Sequence, residues 1–140
     1  MNVEFVTWAS VGNLQQTADL LKQVNRANAG VLVDALHFYR SKVALDELKA
    51  CPAEWFRYAH LCDCEKPIPT DLESLTHTGR AERLYPGEGA APIADIIAAI
   101  PNKNIMLGLE VPHEKRLAEY GFEAHARKAL QAAKKVLGEA

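Results

Sequence analysis

A chain of 140 residues, 49% hydrophobic and 24% charged, suffices for one buried core, and its formal charge of −2 with both signs interspersed leaves no basic surface for nucleic acid. No stretch is apolar enough to span a bilayer, and the opening MNVEFVTWAS lacks the basic-then-apolar order of a secretion signal, so a soluble, cytoplasmic protein is expected. Cys51, Cys62 and Cys64 are odd in number, and Cys62-Asp63-Cys64 lacks the C-x-x-C spacing, so neither a disulfide framework nor a sulfur-held metal is expected.

Val3 to Trp8 is β-branched and aromatic and predicts a first strand. Asn13 then offers an N-cap and Gln16 a capping box for a helix with Leu14, Ala18, Leu21 and Val24 on its apolar face, ending within residues 25–30. Val31 to Asp34 predicts a second strand, and a short helix after Ser41 buries Ala44, Leu45 and Leu48. Cys51-Pro52 stops it before a third strand, residues 56–64. A connection over residues 65–89 follows, rich in proline and glycine; structureless loops of that length are uncommon and often functional. Pro92 suits the first turn of a helix reaching Ile100, and residues 105–110 make a fourth strand. A last helix from Phe122 to Leu137 buries Phe122, Ala126, Ala129, Leu130, Ala133 and Val136 and ends at Gly138. Strands that are nearly continuous in apolar residues and alternate with helices predict a single α/β domain over residues 1–140, with a parallel sheet and right-handed crossovers. Periodicity leaves a barrel and an open sheet both standing.

Side chains alternate along a strand. Val3 and Phe5, Val31 and Val33, Ala59 and Leu61, and Ile105, Leu107 and Leu109 are the apolar sets that helices are expected to cover. The opposite face gathers Glu4, Asp34, His60 and Glu110, one from each strand. Burying four ionisable groups without partners is prohibitive, because even one uncompensated buried charge is strongly destabilising. A divalent cation removes that problem. Three carboxylates and an imidazole form an oxygen-rich set suited to Mn²⁺, Mg²⁺ or Co²⁺, with Zn²⁺ also admissible. For any one of the four, a strand-end charge meeting solvent is the competing reading, and periodicity leaves the register between strands open.

Five segments also carry a resemblance: V-E-F-V-T-W, L-V-D-A-L-H-F-Y-R-S, E-W-F-R-Y-A-H-L-C-D, R-L-Y-P-G-E-G and L-G-L-E-V-P, in this order. Together they resemble strands five to eight of the sugar phosphate isomerase/epimerase family, which has the xylose isomerase-like TIM barrel. The D-x-x-H and R-x-x-P-G-x-G pieces are the most specific. The resemblance implies four βα units of a (β/α)8 barrel, with a divalent metal held by Glu4, Asp34, His60 and Glu110. It implies substrate-binding roles for His37 and Arg83, and a sugar or sugar phosphate as substrate. The expected chemistry is isomerisation or epimerisation by proton transfer through a metal-stabilised enediolate, with Glu4 and Glu110 as bases as well as ligands. Trp8, on the side of Glu4, floors a sugar pocket or fills the core. Arg80 and His77 read as solvated loop charges, and Gly87-x-Gly89 ahead of a helix as a weak anion nest.

A TIM barrel takes about 250 residues, and Glu4 stands almost at the start of this chain, so the reading is a half-barrel that begins inside a strand. Its two open edges and uncovered inner face lead to the expectation of a homodimer. The alternatives are an inactive half-barrel remnant that folds and binds metal without turnover, and an inosose-type sugar dehydratase. Chemistry like that of endonuclease IV needs more histidines than His37, His60, His77, His113 and His125 are placed to supply.

Overall fold

Four parallel strands make one sheet in the order β1 (Asn2–Glu4), β2 (Gly30–Asp34), β3 (Phe56–Leu61), β4 (Met106–Leu109) in a computed structural model that describes residues 1–139. Each strand lies beside its sequence neighbour, as successive βα crossovers require. The register sets Glu4 beside Leu32, Asp34 beside His60, and His60 beside Gly108. Glu110, two residues past Gly108, therefore shares their face, and its N–H donates to Leu61 O at 3.3 Å.

Helices cover the other face. Phe5, Val31, Val33, Ala59 and Leu61 are buried there against Leu14, Leu36, Leu48, Ile96 and Ile100. Each such side chain removed from water contributes about 1.5–3 kcal/mol, which sets the spacing of the strands that carry the polar face.

The first strand is shorter than its β-branched run suggests. Beyond Phe5 the Val6 N–H donates to Val11 O at 3.0 Å and the Ala9 N–H to Val6 O at 2.7 Å, so the chain turns on itself and Trp8 lies in a loop. In α1 (Leu14–Val24) the Asn13 side chain caps Gln16 N at 2.9 Å, while Gln16 Oε1 accepts from Gly12 N rather than from the cap itself. Leu14, Ala18 and Leu21 are buried; Val24, on the expected face, is exposed.

Two helices are additional to the sequence expectation. Helix α2 (Ala35–Arg40) starts directly on β2, capped by the Asp34 carboxylate, which accepts from His37 N at 3.0 Å. It is buried almost all round, so it has no amphipathic period to read. Helix α4 (Leu72–Ala81) occupies half of the long connection, capped by Asp71, with Leu72 exposed and only Gly79 and Ala81 fully buried. In α3 (Leu45–Lys49) Leu48 alone is fully buried; Ala44 is an exposed N-cap. Helix α5 (Ile93–Ala99) follows Pro92 as expected.

Helix α6 (Glu114–Leu137) begins eight residues before the predicted start, with His113 as its cap, and bends at Gly121, whose φ of 73° is left-handed. The bend rotates the second half: Ala129 and Ala133 are buried, whereas Phe122 (79% exposed), Ala126 and Leu130 face outward. Leu107 and Leu109 on β4 are likewise exposed rather than covered. Among the described residues no helix is long and apolar enough to cross a membrane.

Candidate metal centre

The C-terminal ends of the four strands bring Glu4, Asp34, His60 and Glu110 together. One ligand-type atom from each lies within 4.8 Å of all the others. His60 Nδ1 is at the centre, 3.1 Å from Glu110 Oε2, 3.8 Å from Glu4 Oε1 and 3.8 Å from Asp34 Oδ2. That nitrogen is buried yet makes no hydrogen bond, because the nearby carboxylates are off the line of its N–H. Tyr58, edge-on to His60 at 5.1 Å, fixes the ring.

Charge dominates the electrostatics. Glu110 and Glu4 beside His60 push the imidazole pKa up to about 9. His60, with Arg83 behind it, holds Glu110 down to about 2. An orphaned ring nitrogen among three carboxylates is the donor set a divalent cation takes, so the residues fit such an ion, with oxygen donors in the majority.

Arg83 stands behind the cluster, 5% exposed. Its Nη1 donates to Asp34 Oδ2 at 2.7 Å, to Glu110 Oε2 at 2.8 Å and to Cys62 Sγ at 3.3 Å. Its Nε donates to Gly79 O at 2.7 Å, near the C-terminus of α4. Burial opposes its charge, but Asp34, Cys62 and Glu110 outweigh that and hold the guanidinium above its ordinary pKa. Arg83 thus braces two carboxylates against a helix as well as lining the cavity.

His37 is buried and is turned by Thr7: the Thr7 N–H reaches His37 Nδ1 at 3.3 Å, and Thr7 Oγ1 lies 3.1 Å from it. A ring nitrogen that accepts from a backbone N–H carries no proton, so the proton of the neutral ring is on Nε2. Burial lowers the His37 pKa, against the pull of Asp34, and keeps the ring neutral. Trp8 packs edge-on to His37 at 4.9 Å. Arg80, read from sequence as a solvated loop charge, instead lies 5.9 Å over the Trp8 ring. These side chains, with Glu4, Arg83 and Glu110, line a cavity of about 300 Å³, at the lower end of the size of small-molecule sites. Gly79 is obligatory in its wall, since a Cβ there would come within 2.5 Å of Trp8.

His77 is outside this cavity, 3.6 Å from Glu82. The Gly87-x-Gly89 nest is real but is filled from within. Asp63, fully buried, accepts from Gly87 N, Gly89 N and Ala91 N at 3.0, 2.9 and 2.9 Å, and from Cys64 N at 2.8 Å. No external anion is needed there, and the R-x-x-P-G-x-G segment owes its glycines to this carboxylate. Sequence reasoning passed over Asp63 and Thr7. Asp63 had a signal, an acidic residue just past a buried strand; Thr7 had none.

No family model matches the chain. In sequence it is 29% identical over 126 residues to the inosose isomerase of Bacillus subtilis (strain 168), covering 90% of this chain and 42% of that protein. In structure it superposes with a TM-score of 0.79, at 23% identity, on the crystal structure of an IolI protein with a bound zinc atom, covering 98% of this chain and 48% of that one. It superposes with a TM-score of 0.76, at 24% identity, on a xylose isomerase domain protein from Alicyclobacillus acidocaldarius, covering 98% and 50%. The chain spans about half the length of the proteins it matches.

Proposed function

We propose that this chain, an α/β unit with the fold of one half of a xylose isomerase-like TIM barrel and with inosose isomerases among its relatives, holds a divalent cation and serves proton transfer next to the carbonyl of a small keto-sugar or keto-polyol. The observation that carries this reading is the convergence of Glu4, Asp34, His60 and Glu110 within 4.8 Å at one end of the sheet. Mn²⁺, Mg²⁺, Co²⁺ and Zn²⁺ all suit the donor set; the zinc in the IolI neighbour is one instance.

When bound, such a cation supplies a Lewis acid that polarises a substrate carbonyl. The chain's own groups divide the remaining work. Asp34 is sealed from solvent and can only hold. Glu4 and Glu110 are partly open to the cavity, at the ends of the two outer strands, and are the carboxylates able to take a proton from substrate carbon and return it. Arg83 keeps Glu110 and Asp34 aimed. His37, neutral with its proton on Nε2, donates a hydrogen bond to a substrate hydroxyl or carbonyl. Trp8 supplies an apolar wall for the ring of a sugar.

The test is metal analysis of the purified protein followed by solvent-deuterium exchange into inososes and simple ketoses. The expected result is close to one divalent ion per chain and deuterium at the carbon next to the carbonyl. Metal without exchange into any keto-polyol refutes the catalytic part; protein that binds no divalent ion after incubation with each of the four refutes the whole.

A further inference from the structure

The sheet ends twice without a partner, at the outer edges of β1 and β4. Its exposed apolar groups are gathered at the same two places. Among the described residues, Leu72 apart, every exposed large apolar side chain belongs to the first βα unit (Met1, Leu20, Val24) or to the last (Met106, Leu109, Phe122 and Leu130 among them). The middle strands and α2, α3 and α5 contribute none. Met1 is 79% exposed and Met106 68%. Apolar exposure confined to two unpaired edges, each flanked by a helix with an apolar outer stripe, marks surfaces built to be covered. The solved proteins with this fold are twice as long, and this chain matches 48–50% of them.

A second identical sheet fits both edges at once. All four strands are parallel and in simple order, so β4 of one copy can pair in parallel with β1 of the other while the reciprocal seam forms on the far side. A twofold axis along the strands relates the two seams, making a closed C2 interface. Four strands and four make eight, the number whose interior side chains just fill a barrel. The inward side chains of Leu32 and Tyr58, now only half-buried, become its core.

We propose that two copies of this chain close an eight-stranded barrel through reciprocal β4–β1 seams, with α6 of each copy packed against α1 of the other. Glu4 and Glu110 end the seam strands, so both clusters lie at one end of the barrel and each cavity gains from the partner the wall that it lacks. The proposal rests on the half-barrel fold and is independent of whether the cluster binds metal.

Sedimentation velocity on the full chain tests it, with metal content read on the same samples. The wild type should sediment with twice the chain mass. Leu109→Lys and Leu130→Glu, one on each layer of the seam, should each weaken the dimer at least about tenfold, the effect of losing one well-buried contact. Leu72→Lys, an equally exposed apolar site away from both edges, should leave it intact. Should the seam variants not fold, hydrogen exchange on the wild type decides. The amides of Met106–Leu109 should gain protection as concentration is raised, and those of β2 and β3 should not change. A one-chain mass for the wild type, a dimer indifferent to both seam substitutions, or concentration-independent exchange at β4 overturns the pairing. A dimer without metal refutes the proposed function alone; a metal-loaded monomer refutes the pairing alone.

Discussion

Two buried carboxylates stand at the ends of neighbouring strands, and their surroundings differ completely. Asp63, two residues past β3, accepts two backbone N–H groups on each oxygen, all between 2.8 and 3.0 Å. Its charge is spent on folding residues 87–91 around it. Asp34, at the end of β2, accepts one backbone N–H on Oδ1 and shares Oδ2 with Arg83, in a cluster where His60 Nδ1 makes no hydrogen bond and Glu4 and Glu110 face a cavity. A completed shell of donors makes a structural anchor. An incomplete one, with opposed charges and an orphaned nitrogen, is where an external cation or substrate is accommodated. Burial does not distinguish the two aspartates, since both are fully buried; the tally of hydrogen-bond partners does.

That contrast breaks down if removing Asp63 is harmless. Asp63→Ala orphans four N–H groups and should cost about 3–5 kcal/mol of stability in urea unfolding, the largest effect expected of a single substitution in either carboxylate's surroundings. Glu4→Gln should do the opposite. Glu4 has no basic partner other than His60, so stability of the metal-free protein should stay within about 0.5 kcal/mol. Divalent-ion affinity by calorimetric titration should nevertheless fall more than about 100-fold, because even groups outside the ligand shell are worth 10–100-fold. Saturating metal at 100 times its Kd should raise the wild-type unfolding free energy by about 2.7 kcal/mol and should be fully reversed by a chelator. An unfolding curve that ignores metal would place the Asp34 cluster in the same structural class as Asp63.

The smallest effect is in pH. In the metal-free protein the His60 pKa is raised from 6.5 to about 9, so its share of stability is complete below pH 6.5 and is lost as pH rises through 9. The Glu110 pKa is lowered from 4.5 to about 2, so its share is complete above pH 4.5 and is lost as pH falls through 2. Stability without metal should therefore be greatest between pH 4.5 and 6.5. Metal binding should strengthen as pH rises and release a proton from His60, since the cation takes the neutral imidazole. Calorimetry in buffers of different ionisation enthalpy measures that proton.

Much of the fold and of the metal centre is legible in the sequence. The alternation of apolar and polar positions in Val31 to Asp34 and in Ala59 to Cys62 already separates a helix-covered face from a polar one, because strand side chains alternate with a period of two. That same rule puts Glu4, Asp34, His60 and Glu110 on one face. Helices α2 and α4 are not legible: one is buried on every side and the other on almost none, so neither has the one-sided pattern that marks a helix. The face of α6 differs from the expected one because Gly121 turns the chain, and a rotation at one left-handed residue leaves no trace in the period of the residues after it.

What the chain order by itself determined was the strand identities, their parallel sense and which side chains share a face, since these follow from local alternation and from crossover geometry. What only the tertiary structure decided was distance. The register that brings His60 between Asp34 and Glu110, the placement of Arg83 as a brace from α4, and the filling of the glycine nest by Asp63 all depend on residues 26 to 49 positions apart in sequence. Contacts over such separations are set by how helices pack on the sheet, a sum of many weak apolar terms that no local pattern encodes.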